Sequence, residues 1–121
     1  MTKRILVVED QKDNRQIIRD MLSALDYELA EAENGVEALA AVAKQKPDLI
    51  LMDIQLPIMD GYEATRRIKA DPTMKGVPII AVTSYALSGD EQKARDAGCD
   101  DFVPKPYSPR QLLAKIRQYL P

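Results

Sequence analysis

Residues 5–10 read Ile5-Leu6-Val7-Val8-Glu9-Asp10, a short apolar run that ends abruptly in two acids. Four consecutive apolar residues, two of them β-branched valines, match a strand covered on both faces. A strand facing water on one side would alternate instead. The same form recurs at Asp48-Leu49-Ile50-Leu51-Met52-Asp53 and at Val77 to Thr83, entered through Pro78. Tyr27 to Ala32 is a weaker strand, and Asp101 to Val103 a short one.

Helical patterns fill the intervals. Ile17, Ile18, Met21, Leu22 and Leu25 place one apolar stripe on Gln11 to Leu25. Asn34, with Glu37 three residues on, starts a helix whose apolar positions are read as Val36, Leu39, Ala40 and Ala43; it stops before Pro47. Tyr62 to Ala70 is a third helix, after a loop from Ile54 to Gly61. Ser88 to Glu91 has the form of a capping box and opens a polar helix to Ala97, which Gly98 ends. Ser108-Pro109-Arg110-Gln111 supplies an N-cap, a proline at N1 and a glutamine at N3 for the last helix, which carries Leu112, Leu113, Ile116 and Leu120. Five strands alternating with five helices predict an α/β fold with a parallel sheet covered on both faces, in a single domain over residues 1–121.

Composition narrows the chemistry. The 121 residues hold 17 basic and 19 acidic side chains, one cysteine and no histidine. The absent histidine excludes Ser-His-Asp and Cys-His catalysis and any histidine phosphodonor within the chain. The lone Cys99 excludes an internal disulfide or a Cys-rich zinc site. A net charge of −2 without a basic tract speaks against nucleic acid as a partner. No apolar run is long enough for a membrane span or a secretory signal, so the expected location is the cytoplasm.

In a sheet of this kind, ligands gather at the carboxyl ends of the strands. Those ends carry Glu9 and Asp10, Asp53, Thr83 and Ser84, and Lys105. Three carboxylates on one rim repel and need a compensating charge, for which Mg²⁺ is the natural partner. A hydroxyl and an ammonium beside a metal suit phosphoryl oxygens. Rival chemistries fit less well. A hydrolase of the haloacid-dehalogenase type needs a second acid two residues after its nucleophile, where this chain has Gln55, and Gln55 also breaks the Asp-x-Asp of a metal nuclease. The glycines form neither nucleotide-binding fingerprint.

ILVVED (5–10), PDLILMDIQLP (47–57), MDGYE (59–63), IIAVTS (79–84), AGC (97–99) and Lys105-Pro106 together resemble the receiver domains of two-component response regulators, from about Lys3 to Leu120. MDIQLP and AGC point within that family to stand-alone receivers of the cell-division type. The resemblance implies a flavodoxin-like doubly wound sheet in the order 2-1-3-4-5. It implies Asp53 as phosphoacceptor, with Thr83 and Lys105 contacting the phosphoryl group. Asp10, Asp53 and the Gln55 backbone carbonyl would hold Mg²⁺, with Glu9 acting through water. The Lys105–Pro106 peptide would be cis. Thr83 and Phe102 would form the switch, and Gln55 and Tyr85 would tune the acyl-phosphate lifetime. The implied protein is a signalling switch, not a turnover enzyme, with slow autodephosphorylation. A histidine kinase or histidine phosphotransfer protein would supply the phosphoryl group. A downstream protein would dock on the face of the fourth helix, fifth strand and fifth helix, around Leu87, Tyr107 and residues 89–97. The chain would be a monomer or a weak phosphorylation-dependent dimer without an output domain. The alternatives are a Mg²⁺-dependent aspartyl-phosphate phosphohydrolase and a phosphorylation-independent adaptor.

Overall fold

The computed structural model describes residues 2–83, 90–105 and 107–121. Ser84, Tyr85, Leu87, Ser88 and Pro106, and with them the first capping box and the Lys105–Pro106 peptide, lie outside the described residues.

The elements run β1 (Lys3–Val8), α1 (Lys12–Ser23), β2 (Tyr27–Ala32), α2 (Gly35–Lys44), β3 (Leu49–Asp53), α3 (Gly61–Ala70), a 3₁₀ turn (Pro72–Met74), β4 (Ile79–Thr83), α4 (Asp90–Ala97), β5 (Asp101–Pro104) and α5 (Pro109–Tyr119). The strands form one parallel sheet in the order β2-β1-β3-β4-β5. This is the flavodoxin-like order. Its register places Val8 beside Met52 and Asp53 beside Val82, so the ends of β1, β3 and β4 share one rim.

The apolar runs supply both faces because successive strand side chains point opposite ways. Ile5, Val7, Leu49, Leu51, Ile80 and Val103 meet Ile18 and Leu22 of α1 and Leu112 and Ile116 of α5. Leu6, Val8, Ile50, Met52, Ile79 and Ala81 meet Ala38 and Val42 of α2, Ile68 of α3 and Ala94 of α4. A strand polar at every second residue would leave one layer of helices without a surface to cover.

Two caps match their sequence signatures. Asn34 Oδ1 accepts from the Glu37 N–H at 2.8 Å. Ser108 and Gln111 form a reciprocal capping box with Pro109 at N1. Asp60 caps α3 by accepting from the Glu63 N–H at 2.9 Å. A 3₁₀ turn over Pro72–Met74, absent from the sequence expectation, precedes β4, and β4 starts at Ile79, past Pro78, which has no N–H to give a ladder.

The phase of α2 differs from the sequence expectation. Its buried positions are Gly35, Ala38 and Val42, whereas Val36 is 49% exposed. An alanine-rich helix fits several stripes nearly equally, and a backbone contact decides among them. The Gly35 N–H donates to the Met59 carbonyl at 3.1 Å, and a Cβ on Gly35 would stand 2.6 Å from that same oxygen. Only glycine lets the start of α2 approach this closely.

Candidate functional site

Four segments converge on the rim. Glu9 and Asp10 follow β1, Asp53 ends β3, Thr83 ends β4 and Lys105 follows β5. Glu9, Asp53 and Thr83 are all buried. The carboxylates of Glu9, Asp10 and Asp53 each bring one oxygen within 4.8 Å of the others. The Lys105 ammonium stands 3.0 Å from Glu9 Oε1 and 3.3 Å from Asp53 Oδ2. The Lys105 N–H also donates to the Thr83 carbonyl at 2.7 Å, which joins the lysine's own backbone to the end of β4.

Asp53 is fixed from the following loop as well. The Gln55 N–H donates to its Oδ1 at 3.1 Å. Gly61 packs against the Asp53 backbone so closely that a Cβ would lie 2.3 Å from the Asp53 carbonyl oxygen. Between them, the Met59 N–H reaches the Pro57 carbonyl at 2.7 Å across Ile58, whose φ is +69°. This is a γ-turn of the rare positive-φ form.

The charges are unequally matched. Burial first, then repulsion from Glu9, raise the Asp53 pKa to about 6, with Lys105 and the Gln55 N–H acting in the other direction. Burial works against ionised Glu9 too, but the Gln11 N–H and the Lys105 ammonium outweigh it and hold Glu9 below the usual carboxylate range. Burial and the neighbouring Glu9 raise Asp10. Burial also works against the Lys105 ammonium, yet Glu9 and Asp53 outweigh it and hold the lysine above its ordinary value. Three carboxylates and one ammonium leave two negative charges uncompensated when all are ionised. An all-oxygen donor set with that deficit fits a hard divalent cation such as Mg²⁺.

The sequence also points to Phe102. It lies opposite Ala81 in the β4–β5 register and packs against the same side of the sheet. Thr83, two residues beyond Ala81, shares that side by strand alternation. Tyr107, which the sequence places on the expected output face, also lines a small cavity with Glu9, Asp53 and Val82.

Three supporting residues had no signal in the sequence reading. The Gln11 N–H donates to Glu9 Oε2 at 3.0 Å, and Asn14 Nδ2 donates to Glu9 Oε1 at 3.3 Å. Arg15 Nη1 donates to the Glu9 carbonyl oxygen at 2.9 Å. Their offsets from Glu9, across the first turn of α1, are the one feature that could have found them.

Comparison with known proteins agrees with this geometry. Residues 5–117 match the family described as "Response regulator receiver domain". The chain is 42% identical over 120 residues to the polar-differentiation response regulator DivK of Brucella anthropi, covering 99% of this chain and 98% of that protein. Among solved structures, it resembles the receiver domain of the sensor histidine kinase PA1611 from Pseudomonas aeruginosa, which has a magnesium ion coordinated in its active-site cleft. That likeness has a TM-score of 0.92 and 38% identity, over 99% of this chain and 98% of that one. The chemotaxis protein CheY4 of Vibrio cholerae gives a TM-score of 0.92 at 28% identity, over 98% of this chain and 99% of that one. The chain belongs to the response regulator receiver domain family, the phosphoryl-accepting switches of two-component signalling.

Proposed function

We propose that Asp53 is the phosphoacceptor. The observation that carries this reading is the meeting of a buried carboxylate with Lys105, Glu9 and Asp10 at the end of β3. An Asp53 oxygen attacks the phosphorus of a phosphohistidine on a partner protein. The new O–P bond forms as the N–P bond breaks, and the departing imidazole takes up a proton.

Asp10, Asp53 and the Gln55 carbonyl would hold Mg²⁺, with Glu9 acting through a water. When bound, the ion supplies positive charge against the oxygens of the phosphoryl group. Lys105 pairs with those oxygens, and the Thr83 hydroxyl donates to one of them. The chain acts as one receiver domain over its length. The acyl phosphate is lost slowly to water, with the residue types at Gln55 and Tyr85 setting its lifetime. This makes the protein a substrate and switch in preference to the phosphohydrolase or the phosphorylation-independent adaptor.

Output follows from Thr83. Drawn towards the phosphoryl group, it vacates space on the side of the sheet where Phe102 packs, and Phe102 moves in. The affected surface is the face of α4, β5 and α5; on its β5–α5 side Phe102, Pro104, Gln111, Ala114 and Lys115 line a groove for a downstream protein. The donor is a histidine kinase or a histidine phosphotransfer protein. Among the described residues, no helix is long and apolar enough to cross a membrane. The working form is a monomer or a weak dimer that tightens on phosphorylation.

The test is transfer from a phosphohistidine protein, followed by borohydride reduction and peptide mapping. The reading expects modification at Asp53. Modification at Asp10 or Glu9 with Asp53 untouched would overturn it.

A further inference from the structure

Arg15 joins the acidic pair to the neighbouring strand. Only 11% of its side chain is exposed. Its Nη1 donates to the Glu9 carbonyl oxygen at 2.9 Å and to the Asp10 carbonyl oxygen at 3.3 Å. Its Nε donates to Glu31 Oε1 at 3.1 Å, and its Nη2 to Glu33 Oε1 at 3.1 Å. Glu31 pairs with Val7 in the β1–β2 ladder, and the Glu9 N–H donates to the Ala32 carbonyl at 3.0 Å. The peptide units that carry the acidic pair are therefore held on one side by β2 and on the other by a guanidinium that β2 and its following loop also hold.

We infer that Arg15 is a positioning residue for the metal site: it fixes the Glu9–Asp10 backbone so that both carboxylates face Asp53, and so strengthens Mg²⁺ binding. The inference rests on the metal site proposed above. Two effects of removing Arg15 oppose each other. Loss of a cation near the site would tighten Mg²⁺ binding by Coulomb's law. Loss of the brace would weaken it, because two carbonyls lose their donor and the acidic turn gains freedom. Geometry wins here. Glu31 and Glu33 already neutralise the guanidinium, so little net positive charge remains to repel the ion. Lysine cannot replace it, since a point ammonium does not span four acceptors as a planar fork does.

The test is calorimetric titration of Mg²⁺, without phosphodonor, into the wild-type chain, Arg15→Met, Arg15→Lys and Glu33→Ala. Both Arg15 variants should bind about tenfold more weakly. Glu33→Ala alters an exposed carboxylate and keeps the carbonyl contacts, so it should weaken binding by a smaller factor. It also keeps the inference testable if either Arg15 variant fails to fold. Wild-type affinity in Arg15→Lys, equal or tighter binding in Arg15→Met, or tighter binding in Glu33→Ala would overturn the inference. Asp10→Asn separates the two levels: if it binds Mg²⁺ as wild type does, or wild type binds none, the metal-site reading fails, and this inference with it.

Discussion

Lys105 Nζ stands 3.3 Å from Asp53 Oδ2, a contact between the segment after β5 and the end of β3 that spans 52 residues of sequence. The same ammonium reaches Glu9, so one cation holds together two buried acids that would otherwise repel.

Removing that cation exposes the repulsion. Lys105→Met should destabilise the metal-free protein at pH 8 by about 2 kcal/mol, because two buried carboxylates lose their counter-charge. The loss should shrink in an Asp53→Asn background, since Glu9 then has no charged neighbour at Asp53 to repel. A double-mutant cycle from urea unfolding in EDTA measures the coupling. Equal losses in both backgrounds would deny the contact an energetic role.

The sign for Asp53 runs the opposite way from that of most paired acids. Its native pKa of about 6 lies above the unfolded value of 3.8. Between those values the native state holds a proton that the unfolded chain has released, so this group's contribution to stability falls as pH rises. Asp53→Asn should match wild type in stability near pH 4 and exceed it above pH 6, by on the order of 2 kcal/mol in EDTA. Glu9, held below its usual range beside Asp53, acts oppositely, so the prediction concerns the difference between the two proteins and not either curve alone. Thermal unfolding of both proteins from pH 4 to 8 measures it, and a gap independent of pH would refute the assignment.

Ile58 is 82% exposed with φ +69°, where a β-branched residue is strained. Ile58→Asn should raise stability by about 1 kcal/mol, because asparagine takes positive φ more readily than a β-branched residue and no buried surface is lost. Chemical denaturation checks this, and a destabilised variant would mean that the isoleucine side chain holds the loop.

Much of this was legible in the chain. The apolar runs of β1, β3 and β4 state their double burial directly, and each leads into a residue of the site: Glu9 just after β1, and Asp53 and Thr83 as the last residues of β3 and β4. Asn34 and Ser108 mark their helix starts because a cap is a local interaction. What was hidden depends on distant contacts. Arg15 and Asn14 look like the solvated face of an amphipathic helix until the turn after β1 folds back beneath them. The phase of α2 follows from Gly35 meeting Met59, and Tyr107 reaches Glu9 and Asp53 only through the sheet's strand order.

Intact-mass analysis after incubation with acetyl phosphate tests the central claim most directly, with Mg²⁺ present or removed by EDTA. Wild type should gain one phosphoryl group with Mg²⁺ and almost none in EDTA, and Asp53→Asn should gain none in either. An adduct that persists in Asp53→Asn at the wild-type level, or no adduct on wild type with Mg²⁺, would contradict the account.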